Sequence, residues 1–125
     1  MSIATGLTGR AILRVTEADT AVTLRSGDVP VLATPRLVGL CEEACVQAIR
    51  DELEPGLTTV GMRVQFDHLA PTGVRREVTA QACLEKIDGR RLTFTVSAND
   101  AGGLVGAGKL TRVIVAVEPF LKKAH

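Results

Sequence analysis

Apolar residues recur along this chain with two spacings, one near every third or fourth position and one at every second, and the switch between them marks out a helix among strands. Ala11, Leu13 and Val15 alternate with Arg10, Ile12 and Arg14, the period of a first strand. Over residues 17–33 no period holds, and Gly27 and Pro30 interrupt the segment, so a long loop or short turns are expected there. The run TPRLVGLCEEACVQAIRDELEPG then reads as the clearest element, a long helix stopping at Pro55 and Gly56. Thr34 precedes Pro35, and a residue before proline is pushed out of the helical region. Thr34 is therefore the expected N-cap, with Pro35 at the first helical position. At about 100° per residue, Leu37, Cys41, Ala44, Cys45, Ala48, Ile49 and Leu53 share one broad face, and Glu43, Gln47 and Arg50 lie opposite.

Beyond the helix the period becomes two. Met62, Val64, Phe66 and His68 alternate with Arg63, Gln65 and Asp67. Pro71 to Gly73 makes a turn, and Val78, Ala80, Ala82 and Leu84 form the apolar side of the next strand. Asp88-Gly89 is a hairpin signal. Leu92, Phe94, Val96 and Ala98 follow, then a turn around Asn99-Asp100 and Gly102-Gly103, then a long last strand, GLVGAGKLTRVIVAVEPF, ending near Pro119. One helix with about five strands, three of them linked by consecutive hairpins, implies an α+β fold with an antiparallel sheet. A single helix cannot cover both faces of such a sheet, so a second chain or a ligand is expected to cover the remainder.

Composition narrows the function. The 125 residues suit one domain, 1–125, and the 46% hydrophobic fraction suits a folded core. Fifteen Lys and Arg against 14 Asp and Glu leave a formal charge of +1, too little surplus for a dedicated nucleic-acid binder. Three Phe with no Trp or Tyr offer little surface for stacking bases. No apolar run approaches ~18 residues, so no membrane-spanning helix is expected. The first residues lack a charged stretch leading into an apolar one, and three cysteines make an odd count for a disulfide framework; both favour a cytoplasmic protein. The glycines of AGGLVGAGK match neither GxGxxG nor GxxxxGK[ST], and read as a turn plus places where a backbone or ligand comes close. With His68 and the terminal His125 as the only histidines, a zinc site lacks ligands. Cys41 and Cys45 read as small core residues.

Two side chains stand out by position. Glu42 lies between Ile49 and Leu53 on the helical wheel, inside the apolar arc. A carboxylate there costs several kcal/mol of desolvation unless paired, hydrogen-bonded or protonated. It is either a poised acid-base or nucleophilic group, or a helix-edge residue whose stem packs while its head reaches water. His68 projects to the apolar side of its strand and Asp67 away from it, so the two do not form a dyad on a regular strand. An inward imidazole is either a proton-transfer group or a satisfied core histidine.

The stretches ATPRLVGLCEEAC (33 to 45), GMRVQFDHLAPTG (61 to 73), DGRRLTFTVSAND (88 to 100) and GAGKLTRVIVAVEPF (106 to 120) together resemble the hotdog-fold thioesterases, and within them the fluoroacetyl-CoA thioesterase group. The resemblance spans about residues 8 to 120. It implies a hotdog fold, a curved five-stranded antiparallel sheet wrapped around one long central helix. It also implies assembly as a homodimer or a dimer of dimers, with sites at the subunit interface. The family's catalytic threonine, glutamate and histidine fall on Thr34, Glu42 and His68, and a glycine near the acyl site falls on Gly61. The implied reaction is hydrolysis of an acyl-CoA thioester, with coenzyme A as part of the substrate and no further cofactor. Glu42 would act as nucleophile or base, and the Thr34 hydroxyl would either orient the glutamate, the water or the carbonyl, or serve the backbone as an N-cap. Arg36 would meet an anionic part of coenzyme A or point to solvent. Arg75, Arg76, Arg90, Arg91, Lys109 and Arg112 offer further phosphate partners, most of them as ordinary outward-facing residues. The segment TLRSGDVPVLATP carries Arg25 and Asp28 and no aromatic residue where the fluoroacetyl-specific relative has phenylalanines, so another acyl group is expected. The DxNPxH signature of hotdog hydratases is absent. A non-catalytic acyl-CoA-binding or partner-binding hotdog protein is the alternative.

Overall fold

The computed structural model describes residues 2–124; His125 lies outside the described residues. Five strands form one antiparallel sheet: β1 (Thr8–Arg14), β2 (Leu57–His68), β3 (Glu77–Asp88), β4 (Arg91–Asp100) and β5 (Gly103–Ala116). Their order is β1-β3-β4-β5-β2, so β1 and β2 are the edges. Three helices complete the described chain, α1 (Ala21–Leu24), α2 (Thr34–Ile49) and α3 (Val117–Lys122), with short 3-10 turns at Glu17–Asp19 and Arg50–Glu52. α2 contacts β1, β2, β3 and β4, the curled sheet wrapping it as the family resemblance implied.

The core follows from the two periods. Leu37, Cys41, Ala44, Cys45, Ala48 and Ile49 are buried on α2, joined by Leu40. They pack on Val78, Ala80, Ala82 and Leu84 of β3 and Leu92, Phe94, Val96 and Ala98 of β4. Antiparallel register sets Leu84 opposite Phe94 and Phe94 opposite Leu110, so one apolar layer runs across three strands. Removing a buried leucine of this kind costs about 2–5 kcal/mol. Burial also pushes the Cys41 and Cys45 thiols up to about 12, which keeps them protonated core residues.

Four local features differ from the sequence expectation. Residues 17–33 fold into a 3-10 turn and α1, pinned by bridges Thr20–Leu32 and Val31–Gly73; elements of three or four residues carry no readable period. The cap of α2 is Ala33, whose carbonyl accepts from the Leu37 N–H, which makes Thr34 the first helical residue and frees its hydroxyl. A bulge between Gly61 and Arg63 resets the parity of β2. Inward positions are Thr59 and Gly61 before it and Val64, Phe66 and His68 after it, while Met62 falls in the bulge. Finally, β5 ends at Ala116 and the chain turns into α3, where Pro119 sits in the first turn and sacrifices no intrahelical donor.

Candidate active site

Thr34 and His68 meet. Thr34 occupies the first turn of α2 and His68 ends β2, and Thr34 Oγ1 lies 2.8 Å from His68 Nδ1. The other ring nitrogen, Nε2, is buried and has no hydrogen-bond partner among the described residues. Burial pulls the imidazole below its ordinary value of 6.5, with a backbone contact at Ala70 working the other way, so the ring is neutral at pH 7. An unpaired buried nitrogen costs about 1–3 kcal/mol, a cost that a ligand or water contact relieves. Beside the pair opens a pocket of about 320 Å³ walled by Val29, Val31, Leu69 and Pro71. Gly106 faces His68 across the β2–β5 ladder, and a Cβ there would meet the Phe66 ring and Leu37. This is the close approach read from the glycine-rich strand.

Glu42 and Gly61 also meet. Glu42 leaves α2 at the border of the apolar arc with its side chain 37% exposed. Its Oε2 accepts from Arg112 Nη1 at 2.8 Å. Gly61 stands opposite Arg112 in the β2–β5 register, and a Cβ on it would lie 2.7 Å from Glu42 Oε2. Any larger residue at position 61 would push the carboxylate, the movable end of the Glu42 side chain, off this position. The two alternatives for Glu42 thus meet in one residue: it is paired from within and reachable from outside.

Arg112 is the residue that sequence reasoning left unselected among six cations, most of them expected to face outward. Its side chain is 8% exposed. Nε donates to Thr59 Oγ1 at 3.0 Å and Nη2 to the Thr59 carbonyl at 3.0 Å. Strand parity held the signal, because Leu110, Arg112 and Ile114 fall on one side of β5, and an arginine in that series needs an internal partner. Glu42 and Arg112 line a pocket of about 660 Å³ together with Arg10, Ile12, Val46 and Gln47.

These two pockets share no lining residue. Thr34 and Glu42 stand eight residues apart on α2, about 12 Å along its axis. Within one chain, therefore, the expected site residues come together as two pairs, Thr34 with His68 and Glu42 with Gly61. A further pocket of about 700 Å³ on β1, β3 and β4 contains none of them. Arg36 belongs to neither pair. Its Nε lies 3.1 Å from Asp19 and its Nη1 3.7 Å from Glu43, so its guanidinium ties residues 17–33 to α2. Burial raises the Asp19 carboxyl, but Thr16 N–H, the Thr16 hydroxyl and Arg36 together outweigh it and leave it below its ordinary value of 3.8.

Comparison with known proteins identifies the family. The family of fluoroacetyl-CoA-specific thioesterases, FlK, matches residues 15–118. A fluoroacetyl-CoA thioesterase of Streptantibioticus cattleyicolor is 40% identical over 95 residues, 76% of this chain and 68% of that protein. The solved fluoroacetyl-CoA thioesterase FlK superposes with a TM-score of 0.92 at 32% identity, covering 99% of this chain and 96% of the other. A mutant of it solved with fluoroacetate and CoA superposes with a TM-score of 0.89 at 32% identity, covering 94% and 99%. A hot-dog-like protein of Thermanaerovibrio acidaminovorans gives 0.88 at 26% identity, covering 98% and 90%. Family match, relative and fold agree over most of the chain: it belongs to the fluoroacetyl-CoA-specific thioesterase family and is a thioesterase of the hotdog fold.

Proposed function

We propose that this enzyme hydrolyses an acyl-coenzyme A thioester to the free acid and coenzyme A, at a site that two subunits of a homodimer build together. The observation that carries the reading is the pairing of a half-exposed, arginine-held Glu42 with a separate Thr34–His68 couple, each on its own pocket. The relative crystallised with fluoroacetate and CoA supports a coenzyme A thioester as the substrate class.

Glu42 of one subunit and Thr34–His68 of the other would complete the site. Glu42 either removes a proton from water, whose oxygen then attacks the carbonyl carbon, or attacks that carbon itself to give a mixed anhydride that water cleaves. In both routes the C–S bond breaks and the departing thiolate takes a proton. With Thr34 donating to Nδ1, the Nε2–H of neutral His68 can hydrogen-bond the departing sulfur, and the proton comes from water, through Glu42 in the first route and from solvent in the second. The β2 backbone at Gly61 and free N–H groups at the start of α2 are suited to hold the developing oxyanion.

A thiol-release assay over acetyl, branched, short and long acyl-CoA substrates tests this. Release above background is expected for at least one acyl group, with a loss of about 10²-fold or more in Glu42→Ala and His68→Ala. In a single turnover in ¹⁸O-water, label in Glu42 establishes the anhydride cleaved at its glutamyl carbonyl, because direct attack of water on the substrate labels the acid alone. Affinity for acyl-CoA without turnover would establish the non-catalytic alternative.

A further inference from the structure

We propose that Thr59 is a positioning residue of this site, fixing the guanidinium of Arg112 so that one nitrogen alone, Nη1, is presented to Glu42. The proposal rests on the thioesterase reading above. Thr59 lies on β2 two residues before Gly61, on the inward parity, and is 7% exposed. It meets Arg112 twice, accepting from Nε at Oγ1 and from Nη2 at its carbonyl, each at 3.0 Å. Two bonds along one edge of a planar fork fix both its position and its plane. The remaining corner then points at Glu42 Oε2, 2.8 Å away.

The contribution of the threonine side chain is chemical as well as steric. Valine fills the same volume but offers Nε–H no acceptor, and a buried donor without a partner is costly. An arginine released at that corner regains rotation about its long stem, and the carboxylate it holds moves with it. The carbonyl contact survives any substitution, so a change at Thr59 loosens the guanidinium without removing it. Glu42 reaches the reacting carbon only from a narrow range of positions, and a displacement near 1 Å at a reacting group costs up to about 10²-fold in rate.

The experiment compares Thr59→Val, Thr59→Ala and Thr59→Ser with the wild type, per folded molecule. Thr59→Val and Thr59→Ala are expected to lower kcat about tenfold with KM within about twofold, and Thr59→Ser to restore both to within about twofold. Exchange of the Arg112 Nε–H with solvent, followed by ¹⁵N NMR, is expected to accelerate at least about tenfold in the valine and alanine variants and not in the serine variant. Alanine guards against a packing artefact specific to valine. Unchanged kcat in both acceptor-less variants, or a serine variant as slow as they are, overturns the proposal. The exchange measurement needs no substrate. A wild type inactive on every acyl-CoA would therefore sink the thioesterase reading, while unaltered Nε–H exchange would sink the hold of Thr59 on Arg112.

Discussion

His68 joins structure and chemistry through one ring. Its folded value lies below the ordinary 6.5 because burial disfavours the cation. Between the two values the unfolded chain binds the extra proton, so stability rises with pH across that window. The contribution is complete above about pH 6.5 and is lost as the pH falls through the folded value. An NMR titration of the His68 ring should give a midpoint under 6.5. Unfolding free energy should decline below that pH more steeply in the wild type than in His68→Gln. Equal slopes would show that the ring is not buried as a neutral base. His68 was legible as an inward residue because the bulge of β2 lies upstream and leaves its parity intact. Arg112 was not singled out, although its parity on β5 points inward, because a charged residue in a strand reads as solvent-facing until the partner that neutralises it, 70 residues away in sequence, is known.

At the level of elements, helix and sheet are brought together by small residues. Gly9 of β1 sits directly on α2, where an added Cβ would collide with the Ala44 carbonyl oxygen and the Ala48 nitrogen. Both are backbone atoms of the helix, so nothing can rotate out of the way. Gly9→Ala should force β1 from the helix and cost about 1–3 kcal/mol, seen as a lower urea midpoint with little change in m-value. Gly89→Ala tests a different cause, since space is open there and the penalty comes from its φ of 60° alone. If the two cost the same, close approach is not what selects glycine at position 9. Helix α2 and the hairpins were readable because they are long enough to show a period. Residues 17–33 were not, because Thr16, Asp19 and Arg36 hold them through polar contacts that leave no alternation in the chain.

For the molecule as a whole, the pressing fact is that β2 is an edge. It carries Met62 at 41% and Val64 at 52% exposure on a strand with one unpaired side. Val64 faces the concave side, opposite Leu110, beyond the reach of the single helix. Parity told which side it points to but not what covers it, and an open apolar edge is a site for strand pairing. The same strand carries Gly61 and ends in His68, so a second β2 laid antiparallel along it would bring the Glu42 pocket of one chain towards the Thr34–His68 pocket of the other. The wild type should therefore scatter light as at least twice 13.2 kDa. A charge at the centre of such an edge is incompatible with pairing, so Val64→Asp should give a folded monomer that no longer releases thiol. Ile87→Asp, on β3, where exposure is 39%, introduces the same charge away from the proposed seam and outside both pockets, and should leave dimer and turnover in place. An active monomer would remove the shared site, and a dimeric Val64→Asp would move the seam elsewhere. Loss of turnover together with loss of the dimer, in that variant alone, is the outcome expected of the shared site proposed above.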